Sequence, residues 1–345
     1  MSGETMDDIL ERENVEIGKR ESQNCKNREK KQKKRSKWNK EAVIGLILAL
    51  IPIIGFLIFN GLPFIISVLA LFCDVDLYQL GSFSWNNFEG FKVIFSDGYS
   101  SPSYGLNMAY YFRKACLITL WVASTQIVTL LIALVISVLL ATNVKGHKVF
   151  QVLFFVPYIC STVAVSLMWR WVFSGEDSGV LNTILGTSIK WLNEPSMMTW
   201  TIIVAIIWQA PGYGIVMYKS ALANIDSTQY EAAELDGANS WNKFIHITLP
   251  EIAPTTFYLL IAGIGAGFLT YDIAALMIPD GFGGSIGGTE SMGLTLMRLT
   301  YYLLRNDQLA PSVVSAASVI TWVLFLVIST LTLILFRARD KKMEG

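Results

Sequence analysis

Six stretches of the chain are apolar over the roughly 20 residues that a helix needs to cross a hydrocarbon core of about 30 Å. They are residues 42–72, 117–140, 150–173, 197–218, 254–277 and 311–336. The first is overlong and carries Pro52 and Pro63, which predicts a kink or an interfacial extension. It follows forty polar positions with no evident cleavage site, so it reads as an uncleaved span rather than a signal peptide. The pattern predicts an all-α polytopic membrane protein of six transmembrane helices. Its organisation would be a polar tail (1–40), a first helix with an external segment (41–116), a five-helix core (117–336) and a short tail (337–345). One long polar loop, residues 219–253, interrupts the core.

Charge then sets the orientation. Nine Lys and Arg lie between Lys26 and Lys40, just before the first span; Lys145 and Lys148 follow the second, and Arg337, Arg339, Lys341 and Lys342 follow the sixth. The opposite loops hold Lys92, Arg113, Lys114, Lys190, Arg298 and Arg305 over much more chain. Positive charge collects on the cytoplasmic side of spans, so both termini and the 219–253 loop are expected there. Residues 1–40, acidic from Glu4 to Glu16 and then lysine-rich, are expected to be disordered. A basic segment beside a membrane attracts anionic lipid. That accounts for the cluster without invoking nucleic acid.

The remaining composition adds little chemistry. The 345 residues are 53% hydrophobic and 16% charged, with a mean hydropathy of +0.47, values typical of integral membrane proteins. Cys25, Cys73, Cys116 and Cys160 lack metal-type spacing; Cys73 and Cys116 could meet outside the membrane, although a disulfide is not favoured. His147 and His246 are isolated. No G-x-x-x-x-G-K-[ST] phosphate loop is present, so the chain lacks the means to bind ATP in that way.

The 219–253 loop is the distinctive segment. Thr228 followed by Glu231 fits a capping box, Gly237 a left-handed helix end, and a second helix is expected over 239–248, stopping at Pro250. Trp241, Phe244, Ile245 and Leu249 share one face of it. Ala232 and Ala233 keep the first helix slim. Asp226, Glu231, Glu234, Asp236 and Glu251 outnumber Lys219 and Lys243, which suits a basic partner cleft and disfavours an anionic lipid surface.

Glu231-Ala232-Ala233, three residues, Gly237, nine residues, then Ile247-x-Leu249-Pro250 resembles the docking loop of binding-protein-dependent ABC importer permeases. Further segments are similar to the carbohydrate subgroup: Asn87–Asp97, Trp169–Phe173, Gly179–Gly186 with Trp191-Leu192, and Gly283, Gly284, Thr289 and Glu290. The sequence departs from the family's pattern at Asp226 and Ser227, where relatives often have Pro, and in P-D-G-F-G-G-S-I-G-G in place of a Gly-Gly-Gly-Pro run.

The resemblance implies a bacterial cell-membrane permease subunit for a sugar or oligosaccharide. Glu231, Ala232, Ala233, Asp236, Gly237, Ile247, Leu249 and Pro250 would couple it to a dimer of ATPase subunits. ATP and magnesium would sit on that partner, with no cofactor on this chain. A second permease, expected to be a different chain, and an extracellular solute-binding protein would complete the system.

Polar or aromatic groups inside spans are costly unless they face the bundle interior or a wet path. Tyr158, Thr162, Gln209, Tyr213 and Thr270 are such groups, with Gly263 and Gly267 leaving space beside them. Pro157 and Pro211 are expected to break the helices nearby. In maltose-type permeases the matching stretches line the sugar site, which extends the resemblance to Tyr158, Thr162, Tyr213, Gly263, Gly267 and Thr270. The competing readings are a peptide or amino-acid ABC permease and an ion-coupled secondary transporter. The latter wants paired buried carboxylates, for which Asp272 is the one candidate.

Overall fold

The computed structural model describes residues 23–24, 26–28, 30, 40–75, 83–97, 107–141, 146–175, 179–278, 286–305 and 311–343. The acidic tail, most of the lysine cluster, Cys25, Lys145 and Gly283–Gly284 lie outside the described residues. Contacts divide the chain into two units, Met1–Val68 and Leu69–Gly345.

The described part of the first unit is mostly one helix, α1 (Lys40–Phe72), which ends in the second unit. Pro63 is accommodated by a π-turn, Leu57–Gly61, in which the Leu62 N–H reaches back to Leu57 O. A proline gives no N–H, and its ring would strike the carbonyl four residues earlier; a widened turn moves that carbonyl aside.

In the second unit, a short antiparallel pair, β1 (Cys73–Val75) and β2 (Phe83–Trp85), leads to α2 (Glu89–Phe95). The core helices are α3 (Met108–Ala141), α4 (His147–Ile159), α5 (Thr162–Val172), α6 (Val180–Leu185), α7 (Pro195–Gln209) and α8 (Pro211–Ala223). After α9 (Ser227–Leu235) and α10 (Ser240–Lys243) come α11 (Ala253–Phe268), α12 (Asp272–Met277), α13 (Leu296–Arg305) and α14 (Pro311–Met343). Helix α3 starts nine residues before the expected Leu117 and runs about 51 Å at 1.5 Å per residue. One core cluster packs α2, α3, α13 and α14 around Phe112, Leu299 and Ile320; a second packs α3, α5, α7 and α12 around Val122, Met198 and Met277.

Among the described residues, five helical segments are long and apolar enough to cross a membrane, or six if the bent pair of α4 and α5 is one span. Residues 150–173 were expected to form one span broken near Pro157, and α4 and α5 meet at 98°. The break falls at Cys160–Ser161, whose ψ angles of 141° and 131° are extended, and not at Pro157, which stays inside α4. Serine favours helix starts over helix interiors, and Gln209 Nε2 donates to Cys160 O at 3.3 Å, satisfying a carbonyl at the break. Pro211 makes a joint and no break: Ala210 keeps helical angles (φ −72°, ψ −31°), so 195–223 counts as a single 29-residue span. The fifth span is interrupted at 269–271, where Thr295 Oγ1 donates to Thr270 O at 2.8 Å. The fragments beyond the two interruptions, α5 and α12, pack on each other.

Candidate functional site

The 219–253 loop is a tied pair of helices. Asp226, and not Thr228, is the N-cap of α9: its side chain accepts the Thr228 N–H at 3.0 Å. Helix α9 ends in a Schellman arrangement, with Gly237 N–H to Glu234 O at 3.0 Å and Ala238 N–H to Ala233 O at 2.9 Å. Gly237 has φ +79°, the left-handed position expected of it. Asn239 caps α10 by accepting the Asn242 N–H at 2.8 Å. Pro250 does not stop this helix. A π-turn, Phe244–Thr248, absorbs the proline as in α1, and the helix continues over Leu249–Glu251 into α11.

Three side-chain bridges hold the pair together: Lys243 Nζ to Glu234 Oε1 at 2.6 Å, Tyr230 OH with Thr248 Oγ1 at 2.9 Å, and Gln229 Nε2 to Glu251 Oε1 at 3.3 Å. The ion pair holds the Glu234 carboxyl below its ordinary range, and the Thr228 N–H does the same for Asp226. Glu231, Ala232, Asp236, Gly237, Leu249 and Pro250 are exposed, while Ala233 and Ile247 are half-buried. Two large apolar side chains stand out from this polar loop: Leu235 at 91% exposure and Trp241 at 66%. Trp241 lies where the apolar face of α10 was expected; Leu235 is an addition.

Helices α3, α4, α8 and α11 line an open cavity of about 300 Å³. Tyr158, Tyr213 and Gly263 line it. The Tyr158 and Tyr213 rings are 5.7 Å apart, and Tyr213 OH meets Tyr258 OH at 3.2 Å. Gln126 and Thr129 also line it, and sequence reasoning missed both. Their signal was polar residues three apart inside a span.

The other expected path residues have packing or backbone partners. A Cβ on Gly267 would lie 2.9 Å from Ala123 Cα, so this glycine lets α11 touch α3. Gly263 has room for one, its nearest neighbour being Gln126 Cβ at 3.5 Å. Gln209 bridges to the break after α4, Thr162 starts α5, and Thr270 Oγ1 donates to Ala266 O at 3.2 Å. Asp272 is exposed in the first turn of α12. Gly212, also missed, brings α8 against α4: a Cβ there would be 2.6 Å from Tyr158 Cβ.

Two polar hubs brace segments outside the 219–253 loop. Asn182, 2% exposed, accepts Trp191 Nε1–H at 2.8 Å and the Thr187 hydroxyl at 3.2 Å, and donates to Ile189 O at 2.9 Å and Ser174 O at 3.2 Å. This accounts for the Gly179–Gly186 and Trp191 segments. Arg298, counted above as a loop charge, is buried. Its guanidinium donates to Ala274 O at 3.0 Å, Gly293 O at 3.1 Å and Ile278 O, closing the end of α12 against the glycine turn. Cys73, Cys116 and Cys160 are free thiols.

A multi-span bundle with interrupted helices, an open cavity and a protruding helical loop is the architecture of a multi-pass membrane protein. The chain belongs to the family described as binding-protein-dependent transport system inner membrane component, whose model matches residues 114–345. It is 30% identical over 291 residues to the probable ABC transporter permease protein YesP of Bacillus subtilis, covering 83% of this chain and 86% of that one. Over 223 residues it is also 30% identical to the lactose transport system permease protein LacF of Rhizobium radiobacter, covering 61% and 72%. A bacterial ABC transporter involved in import of the acidic polysaccharide alginate shares its fold, with a TM-score of 0.67 at 22% identity over 87% of this chain and 98% of that one. The protein is thus a permease subunit of a binding-protein-dependent ABC transporter, embedded in the membrane by multiple spans.

Proposed function

We propose that this permease forms part of the path for a sugar or oligosaccharide. The observation that carries the reading is the cavity in which Tyr158 and Tyr213, with Tyr258 bonded to Tyr213, stand beside Gln126 and Thr129, with no charged side chain in its lining. Aromatic faces stack on the apolar CH surface of pyranose rings, and hydroxyl and amide groups match sugar hydroxyls. The lactose system named for one relative supports the same class.

The 219–253 loop faces the cytoplasm in this reading, with both termini. Leu235 and Trp241 enter a groove of a separate ATPase subunit, one of a pair that holds ATP and magnesium; this chain binds no cofactor of its own. A second permease closes the other half of the path, and an extracellular binding protein delivers ligand. Because the loop is cross-tied, a push from the closing ATPase dimer moves α9 and α10 as one body. Helices α8 and α11, which flank the cavity, continue directly from the two ends of the loop, so the push reaches the site and alternates its access.

The test is reconstitution of the complete transporter in liposomes with its binding protein and a panel of radiolabelled oligosaccharides. ATP-dependent uptake of a glycan, lowered tenfold or more by Tyr213→Ala at unchanged assembly, is expected. Uptake confined to peptides or amino acids would overturn the assignment.

A further inference from the structure

At the level where the apolar run of α14 gives way to Arg337, Ala338, Arg339, Asp340, Lys341 and Lys342, a groove of about 820 Å³ lies between α14 and the junction of α10 with α11. Its walls are Ile245, Leu249, Pro250, Phe257 and Leu335, and its one charged lining residue is Arg339. The guanidinium carbon of Arg339 sits 4.8 Å from the Phe257 ring centroid, and that ring packs edge-on against Phe336 at 5.0 Å. Stacking on Phe257 sets the cation at the rim of the trough. Arg337 and Lys341 stand exposed on neighbouring turns, with Asp340 the nearby opposing charge on α14. On the loop side the carboxylate of Glu251, next to Pro250 in the chain, accepts from Gln229 Nε2.

We infer that this groove binds an anionic phospholipid, with an acyl chain against Leu249, Phe257 and Leu335 and the phosphate on Arg339. An apolar trough ending in cations where a helix leaves the hydrocarbon is the arrangement that suits such a lipid: the chain replaces apolar surface otherwise exposed, and the headgroup neutralises the excess positive charge. A soluble anion would leave the trough empty, and a neutral lipid would leave Arg339 and Arg337 unmatched. Because Leu249 and Pro250 belong to the loop and Leu335 to α14, one lipid would bridge the moving loop and the last helix. Membrane composition would then act on the permease through this contact.

The experiment is lipid exchange on the full-length protein, purified in the complex it forms in its own membrane. It is equilibrated with detergent micelles containing equal phosphatidylglycerol and phosphatidylcholine, and the retained lipid is counted by native mass spectrometry. Wild type is expected to keep phosphatidylglycerol selectively. Arg339→Gln should lower that retention about fivefold, the weight of one interfacial cation, and Arg339→Lys should restore most of it. Ala338→Trp, which fills the groove at unchanged charge, should abolish it; glycerol phosphate added in excess should displace nothing. Equal retention of both lipids, or wild-type retention in Arg339→Gln and Ala338→Trp, would overturn the inference. Retention by the isolated chain that vanishes in the complex would overturn it too, by showing that a protein partner covers the groove.

Discussion

Lys243 Nζ lies 2.6 Å from Glu234 Oε1, so the end of α9 is tied to the last residue of α10 across the turn at Gly237. The glutamate's lowered pKa fixes the sign of its pH dependence. A carboxyl with a depressed folded-state pKa contributes fully above its ordinary value, and loses that contribution as pH falls through the lowered one. Asp226, held low by the Thr228 N–H, acts in the same direction. Spin labels on α9 and α10 should therefore report a constant separation at neutral pH and a broadened one only below the ordinary carboxylate range. Glu234→Gln should show part of that broadening at neutral pH; an unchanged distance distribution in the variant would mean that the ion pair does not hold the loop.

A Cβ added at Gly237 would have nothing within 4 Å, so a side chain there meets no neighbour and the cost is conformational. At φ +79° a β-branched residue pays about 1–2 kcal/mol. Gly237→Val is expected to assemble normally, hydrolyse ATP in the complete transporter and lose most uptake. Gly237→Asn, which tolerates the left-handed region, should transport near wild type. Equal uptake by both variants would remove the turn from the mechanism.

Replacing Asn182 with Leu keeps its bulk and removes all its hydrogen bonds. Unpaired buried polar groups cost about 1–3 kcal/mol each, so a loss of roughly 2–3 kcal/mol is expected, most of it local to the segment from Ser174 to Trp191. Faster proteolytic cleavage within that segment, with a red shift in Trp191 fluorescence, would be the readout. Wild-type resistance would mean that the loop is held by packing alone.

Much of this architecture was legible from the sequence because membrane spans are written as long apolar runs, and the helix end at Gly237 is local. What was not legible depends on distant partners. Pro157 announced a break, but not its place at Cys160, where the bond that satisfies the carbonyl comes from Gln209, 49 residues away. Arg298 looked like a solvated loop charge because its three carbonyl partners lie on two other segments. Gln126 and Thr129 were hidden by the hydrophobicity of α3. Pro250 was read as a stop because a π-turn, the device that lets the helix run on, has no sequence signature of its own.

Arg298 makes a sharp case for fork geometry over charge. Its planar guanidinium reaches three carbonyls at once, which a lysine ammonium on a flexible stem does not match. Arg298→Met should cost about 3 kcal/mol or more, since carbonyls formerly bonded to a charged donor are left buried. Arg298→Lys should recover only part of that loss in thermal unfolding of the purified protein. Full recovery by lysine would show that the charge alone matters.

Gly212 packs against Tyr158 and Gly263 lines the tyrosine cavity, and they should respond oppositely to the same substitution. A Cβ at Gly212 would lie 2.6 Å from Tyr158 Cβ and 3.1 Å from Phe154 O, so one helix must move. Overpacking of this kind costs about 1–3 kcal/mol, and here it would push Tyr158 away from Tyr213. At Gly263 the nearest contact is an ordinary 3.5 Å. Gly212→Ala is therefore expected to lower thermal stability and raise the KM for uptake several-fold, while Gly263→Ala leaves stability near wild type. The pair separates two reasons for a glycine in a span, since only one of them is needed for helices to touch. If Gly263→Ala proved as damaging as Gly212→Ala, the cavity would have to be tighter in the working transporter than in this conformation.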